Sequence, residues 1–131
     1  MSARILVADD DPFIRRLVVF TLKKRGYEIL EADNGVAALN LVRQEKPDLA
    51  VLDVLMPEMS GLEVTQQLAQ DPATAHIPIL ILSASAQQSE IEAGLASGAT
   101  EYIIKPFEPR ALGERVAEIL AKRGTPPPAA A

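Results

Sequence analysis

The chain has 131 residues, of which 48% are hydrophobic and only 4% aromatic, and its 13 basic and 18 acidic residues give a formal net charge of −5. This length and balance predict one globular domain with an aliphatic core. The absence of cysteine excludes disulfides, thiolate metal sites and a cysteine nucleophile. The acidic balance argues against direct nucleic-acid binding, and the short apolar runs argue against a membrane span or a signal peptide. We therefore expect a cytoplasmic protein with no membrane or nucleic-acid partner of its own.

Short aliphatic runs predict five β-strands along the chain. Four of the runs are continuous rather than alternating, which is typical of strands that are covered on both faces, and the second run is weaker. The predicted strands cover residues 5–8, 28–32, 49–52, 79–82 and 102–104.

Helical patterns with recognisable caps follow these runs. The first helix is expected to begin at Asp11-Pro12, with Asp11 as the N-cap, and to end at Gly26. The second follows Asn34-Gly35 and ends before Pro47.

The next two helices are predicted from capping-box patterns. Ser60-Gly-Leu-Glu63 opens the third helix and Ser89-Glu-Ile-Glu92 the fourth, which Gly98 closes. The last helix begins at Pro109 and ends at Lys122-Arg123-Gly124.

The alternation of buried strands and helices predicts an α/β fold, a (βα)5 arrangement with a parallel sheet between two layers of helices. We assign this domain to residues 1–124. Residues 125–131 are rich in proline and alanine and are predicted to form a tail or linker.

Polar side chains follow four of the predicted strands, at the edge where ligands bind in parallel α/β sheets. Asp9 and Asp10 follow the first, Asp53 the third, Ser83 the fourth and Lys105 the fifth. Acids meeting at one edge repel one another unless a cation neutralises them, and Mg²⁺ prefers such oxygen ligands. Two acids holding a metal, with an ammonium and a hydroxyl beside them, leave the remaining acid to accept a phosphoryl group.

Four segments in this order resemble the receiver (CheY-like) domain of two-component response regulators over residues 4–123. They are Ile5-Leu-Val-Ala-Asp-Asp-Asp-Pro12, Asp53-Val-Leu-Met-Pro57 with Ser60-Gly61, Ser83-Ala84, and Tyr102-Ile-Ile-Lys-Pro-Phe107. The resemblance implies a three-layer flavodoxin-like fold with strand order 2-1-3-4-5.

By that resemblance, Asp53 is the phosphoacceptor of a phosphorelay. The family's metal ligands map onto Asp9, Asp10, Asp53 and the backbone carbonyl of Leu55, for Mg²⁺ with Mn²⁺ as an alternative ion. The implied phosphodonor is a sensor histidine kinase or a histidine phosphotransfer protein. The chain is then a signalling protein and not an enzyme, apart from its own phosphorylation and dephosphorylation.

The resemblance also implies how the signal leaves the site. Ser83 and Lys105 contact the phosphoryl group, a cis bond joins Lys105 to Pro106, and Tyr102 turns inward when Ser83 moves. In the family this changes the face formed by the fourth helix, fifth strand and fifth helix, where an output partner or a second copy docks. Leu55 and Ser85 stand where the family varies, and we expect slow self-dephosphorylation.

Three other functions fit parts of the pattern. A Mg-dependent haloacid-dehalogenase-type phosphohydrolase would use Asp9 as nucleophile, with Ser83 and Lys105, but it needs a later acidic ligand, usually Asp, and no Asp follows Asp71. A flavin-binding domain of the same topology would not place three acids where the phosphate binds. A receiver that only docks would not need the complete set of phosphorylation residues.

Overall fold

The computed structural model describes residues 3–123, so the predicted tail over 125–131 lies outside the described residues. Five strands and five helices alternate along this part of the chain. The strands are β1 (Arg4–Ala8), β2 (Glu28–Ala32), β3 (Leu49–Asp53), β4 (Ile79–Ser83) and β5 (Glu101–Ile104). The helices are α1 (Pro12–Lys24), α2 (Gly35–Glu45), α3 (Gly61–Gln70), α4 (Gln88–Ala96) and α5 (Pro109–Lys122). Among these, no helix has the length and apolar character that a membrane crossing requires.

The strands form one parallel sheet in the order β2-β1-β3-β4-β5, and the predicted fold class and strand order are confirmed. Alternate side chains of β3 enter two cores, with Val51 in the core beneath α1 and α5 and Leu52 in the core beneath α2 and α3. Both side chains are fully buried, which explains why the central strands are continuous apolar runs. All five strands end at the same edge because they are parallel.

The first three helices begin where their caps predict. The Asp11 carboxylate accepts a hydrogen bond from the Phe13 amide at 2.9 Å, and the Asn34 side chain accepts one from the Ala37 amide at 2.8 Å. Ser60 and Glu63 form the predicted capping box in both directions. These side chains satisfy amide groups that have no partner inside the helix.

The predicted start of α4 at Ser89 is wrong, because the helix already begins at Gln88. Gln87 is the N-cap of α4, and within the described residues no side-chain hydrogen bond caps this helix. The Ser85 hydroxyl, two residues earlier, accepts a hydrogen bond from the Gln87 amide at 3.2 Å and bonds to the Glu90 carboxylate. The capping box predicted at Ser89 therefore does not form within the described part of the chain, and Ser85 instead bonds the loop before α4 to the first turn of the helix. Gly94 is the buried residue of this helix, and Leu95 on its predicted apolar face is 45% exposed.

Glu58, in the loop between β3 and α3, adopts a left-handed backbone conformation with φ of 70°. This conformation costs a residue with a Cβ atom about 1–2 kcal/mol, whereas glycine adopts it freely. We expect Glu58→Gly to raise the free energy of unfolding by about 0.5–1 kcal/mol, since the flexibility of glycine in the unfolded chain offsets part of the gain.

Urea unfolding of Glu58→Gly and Glu58→Ala separates backbone strain from loss of the exposed carboxylate. Alanine keeps the strain, so Glu58→Ala should match the wild type. Equal stabilisation by both variants would assign the effect to the side chain instead.

Candidate functional site

Three carboxylates meet where β1 and β3 end. Asp9 and Asp53 are buried, with exposed fractions of 1% and 6%, whereas Asp10 faces solvent. One carboxylate oxygen of each residue lies within 4.8 Å of an oxygen of the other two. The structure thus brings together the three acids that the sequence places at two separate strand ends.

Lys105, which follows β5, lies against two of these acids. Its Nζ donates a hydrogen bond to Asp53 Oδ1 at 2.7 Å and to Asp9 Oδ2 at 3.1 Å. Its backbone amide also donates to the Ser83 carbonyl at 2.7 Å, and the Lys105–Pro106 peptide bond is cis. One ammonium therefore holds two buried carboxylates that would otherwise repel each other.

The charges at this site shift two pKa values. Burial raises the pKa of Asp53 above its ordinary value, and the charges of Asp9 and Asp10 act in the same direction, against the hydrogen bond from Lys105. Burial alone would lower the pKa of Lys105, but its hydrogen bonds and charge interactions with Asp53 and Asp9 outweigh that effect and raise the pKa. Lys105 is therefore held as the ammonium, while an ionised Asp53 lies in surroundings that favour its neutral form.

An open cavity of about 440 Å³ adjoins the acids and is lined by Asp53, Ser83, Leu55, Lys105 and Glu90 among others. Ser83 ends β4, and its hydroxyl accepts a hydrogen bond from the Ser85 amide at 3.1 Å. The Leu55 side chain is 76% exposed at the mouth. A carboxylate, an ammonium and a hydroxyl thus face one solvent-accessible space.

Tyr102 on β5 does not line this cavity but is linked to it through the loop after β4. Its hydroxyl donates to the Ser85 carbonyl at 3.0 Å. Its ring packs on Gly94 of α4, where an added Cβ would lie 2.9 Å from the ring atom Cδ2. The tyrosine is therefore held in an inward position between the loop and the helix.

Two further residues hold the acids in place, and only one of them was part of a sequence motif. A Cβ at Gly61 would lie 2.2 Å from the Asp53 carbonyl oxygen, so this glycine lets α3 start directly behind the acid. Arg15 donates a hydrogen bond to the Asp9 carbonyl at 2.7 Å, although an arginine on a helix surface is ordinarily only solvated. The glycine belonged to a recognised motif, but no spacing rule identified the arginine.

The chemistry of the acids fits a small hard cation. Three carboxylates converge without any nitrogen or sulfur donor among them, which is the oxygen-only ligand set that Mg²⁺ and Mn²⁺ prefer. Asp10 is exposed, so a metal at this point would remain accessible to a phosphorylated ligand and to water.

Comparison with known proteins identifies one matching family. Residues 5–117 match the family model described as the response regulator receiver domain. The chain is 41% identical over 122 residues to the alkaline phosphatase synthesis transcriptional regulatory protein PhoP of Bacillus subtilis. The aligned residues make up 93% of this chain and 50% of PhoP. It is 36% identical over 119 residues to protein PilH of Pseudomonas aeruginosa, covering 91% of this chain and 98% of PilH. The chain therefore spans about half the length of PhoP and nearly all of PilH.

Solved structures agree with these sequence matches. A response regulator from Chloroflexus aurantiacus superposes with a TM-score of 0.88 at 36% identity, covering 92% of this chain and 99% of that one. The chemotaxis response regulator CheY4 of Vibrio cholerae superposes with a TM-score of 0.86 at 32% identity, covering 92% of this chain and all of that one, 100%. None of the matches described here is a haloacid-dehalogenase-type phosphohydrolase, so that alternative has no support.

Proposed function

The chain belongs to the response regulator receiver domain family of two-component systems, and from that premise we propose that Asp53 is its phosphoacceptor. The observation that carries the proposal is the contact of the Lys105 ammonium with Asp53 at 2.7 Å and with Asp9 at 3.1 Å, beside three converging carboxylates. Phosphoryl transfer needs chiefly positioning and neutralisation of charge, and this group of residues supplies both.

In the proposed reaction an Asp53 carboxylate oxygen attacks the phosphorus of a phosphohistidine. A new O–P bond forms as the P–N bond breaks, and the electron pair of that bond stays on the ring nitrogen. The other ring nitrogen of the phosphohistidine carries a proton, so a neutral imidazole leaves. Lys105 moves from pairing two carboxylates to contacting the phosphoryl oxygens, and the Ser83 hydroxyl donates to another of them. Asp9, Asp10, Asp53 and the backbone carbonyl of Leu55 would hold Mg²⁺, which supplies further neutralisation of the phosphoryl charge when bound.

The phosphodonor is proposed to be a sensor histidine kinase or a histidine phosphotransfer protein. Receiver domains are regulated by such kinases and connect to output domains, which supports this donor. The chemistry of this chain is proposed to be confined to its own Asp53. Leu55 carries no polar group that would position water near the phosphoryl phosphorus, and the Ser85 hydroxyl is bonded to the Glu90 carboxylate, so we expect slow self-dephosphorylation.

The output surface is proposed to be the face formed by α4, β5 and α5. Leu95 and Ile104 on this face are 45% and 39% exposed, and they offer apolar surface that a partner or a second copy would bury. Tyr102 lies directly beneath it and bonds to the loop that follows Ser83. A shift of the Ser83 hydroxyl towards a phosphoryl group would therefore reach this face through Ser85 and Tyr102.

The Gly94→Ala variant is expected to displace the ring of Tyr102, because the added methyl group would lie 2.9 Å from Cδ2. Overpacking costs about 1–3 kcal/mol, and alanine in a helix returns about 1 kcal/mol, so the free energy of unfolding should fall by up to about 2 kcal/mol. NMR signals of the Tyr102 ring, recorded with and without a beryllofluoride phosphate mimic, measure the displacement.

The control is Glu92→Ala, an exposed substitution on the same helix. It should leave the Tyr102 signals and their response to beryllofluoride as in the wild type. Tyr102 signals that are identical in Gly94→Ala and the wild type would contradict the proposed coupling between α4 and the tyrosine.

Incubation with acetyl phosphate and Mg²⁺, followed by mass spectrometry of the intact chain, tests the proposed function. The wild type should gain one phosphoryl group, and chelation of the metal should prevent the gain. A chain that remains unmodified under both conditions would contradict the assignment.

A further inference from the structure

Arg15, on α1, connects the loop that carries the acids to the neighbouring edge strand. Its Nη1 donates to the Asp9 carbonyl at 2.7 Å, and its Nε donates to Glu31 Oε1 on β2 at 3.3 Å. The Arg15 side chain is 22% exposed, so the guanidinium lies largely within the structure rather than in solvent.

This carbonyl belongs to the peptide group that joins Asp9 to Asp10. The remaining polar groups of Asp9 already have partners: its amide donates to the Ala32 carbonyl at 3.2 Å, Oδ1 accepts from the Asp11 amide at 3.0 Å, and Oδ2 accepts from Lys105 at 3.1 Å. These contacts fix Asp9 itself. The hydrogen bond from Arg15 fixes the plane of the next peptide, and that plane sets the direction in which the exposed Asp10 leaves the strand.

We propose that Arg15 is a positioning residue for the metal site and that Glu31 is its counter-ion. The inference rests on the proposed function, since it assumes that Asp10 ligates Mg²⁺. Residues that hydrogen-bond to a metal ligand without touching the metal typically lower the metal affinity by about 10–100-fold when they are removed. We expect a loss of about 10-fold, because Arg15 acts on one peptide plane and touches no ligand oxygen.

For a single substitution of Arg15, electrostatics alone predicts the opposite result, an increase in the affinity for Mg²⁺. Removal of Arg15 leaves the Glu31 carboxylate unpaired near the site, and the added negative potential attracts a cation. The double variant Arg15→Met/Glu31→Gln avoids this effect, because loss of one positive and one negative charge leaves the net charge unchanged. Methionine also keeps an unbranched side chain and a high helix propensity without a donor.

The matched control is Arg16→Met/Glu28→Gln. Arg16 and Glu28 lie on the same helix and strand as the first pair, and both are exposed. Neither side chain forms a hydrogen bond or salt bridge within residues 3–123. The control therefore repeats the charge change without the contact to the Asp9 carbonyl.

The affinity for Mg²⁺ is measured by isothermal titration calorimetry and, independently, by the increase in unfolding free energy with Mg²⁺ concentration. The double variant should bind about 10-fold more weakly than the wild type, and the control should bind as the wild type does. The phosphorylation rate of the double variant should require about 10-fold more Mg²⁺ for half-saturation but reach a similar plateau.

A purely structural role for Arg15 would lower the stability of the metal-free protein and leave the dissociation constant for Mg²⁺ unchanged, and that result would overturn the inference. Should the double variant fail to fold, Arg15→Lys serves instead. An ammonium keeps the positive charge but cannot reproduce the guanidinium geometry that bonds the Asp9 carbonyl and Glu31 at the same time. It should bind Mg²⁺ more weakly than Arg16→Lys, and equal affinities would also overturn the inference. Absence of Mg²⁺ binding by the wild type would contradict the proposed function itself, and this inference with it.

Discussion

The Asp53→Asn variant is expected to take up no phosphoryl group from acetyl phosphate and Mg²⁺, whereas the wild type gains one. The amide matches the carboxylate in size, but its oxygen is a poor nucleophile and its nitrogen cannot ligate a hard cation. Of the three clustered acids, Asp53 is also the one that lines the open cavity, together with Lys105 and Ser83. Loss of the mass gain should therefore be complete and not partial.

The matched control for this experiment is Asp33→Asn, which changes an exposed acid that follows β2 at the same edge of the sheet. It should retain the wild-type mass gain. A gain that survived Asp53→Asn but disappeared in Asp9→Asn would favour Asp9 as the nucleophile and contradict our assignment.

The Asp53→Asn variant is also expected to be more stable than the wild type at neutral pH without metal. Burial raises the pKa of Asp53, so the native state binds its proton more tightly than the unfolded chain does. The stability that this proton contributes is present below the unfolded-state pKa of about 4 and is lost as the pH rises through the native-state pKa. Urea unfolding should therefore show an advantage of Asp53→Asn at pH 7 that shrinks towards pH 3. A constant difference across this range would show that ionisation of Asp53 is not its cause.

The second large effect concerns the metal. The buried carboxylates of Asp9 and Asp53 have oxygens within 4.8 Å of each other, and two unit charges at that distance repel by about 3.5 kcal/mol at an effective dielectric constant of about 20. Bound Mg²⁺ relieves this repulsion, and it therefore favours the native state. A ligand that binds only the native state stabilises it by about 1.4 kcal/mol at ten times its dissociation constant, and we expect this value for the wild type. The Asp10→Asn variant should lose most of this stabilisation, because it lacks the exposed ligand. Thermal unfolding at increasing Mg²⁺ concentration measures the difference.

Asp11→Asn provides a control with the same change of charge one residue away. Asp11 caps α1 through the Phe13 amide, and asparagine caps helices equally well, so the fold should be unaffected. This variant should keep the full response to Mg²⁺. A wild type whose melting temperature ignores Mg²⁺, or an Asp10→Asn variant that responds normally, would contradict the metal assignment.

The arrangement of the acids could be predicted from sequence because it depends on strand ends. Continuous apolar runs identify strands that are covered on both faces, and parallel strands joined by helices all end at one edge. Asp9, Asp53 and Lys105 directly follow or end such runs, so their convergence needs no information about side-chain packing. The strand order 2-1-3-4-5, in contrast, came from the family resemblance and not from the runs themselves.

The start of α4 could not be predicted in the same way. Ser89 opens a capping-box pattern in the sequence, but the helix begins earlier, at Gln88, after a loop in which Ser85 bonds to Glu90 and Tyr102 holds the Ser85 carbonyl. Gly94 is the only residue that α4 buries within the described part of the chain, so apolar spacing carries little information about its limits. A helix that buries one glycine against the ring of Tyr102 leaves a weak apolar pattern in its own sequence.

By itself, then, the sequence determined the alternation of strands and helices, three of the helix caps and the group of charged residues at one sheet edge, because each depends on neighbouring residues or on strand ends. Only the tertiary structure decided how those residues are held. Arg15 reaches the Asp9 carbonyl and Glu31 because β1 pairs with β2 in the register that sets Val7 opposite Glu31. A peptide plane and a strand register are properties of the folded backbone, and no local pattern of side chains encodes them.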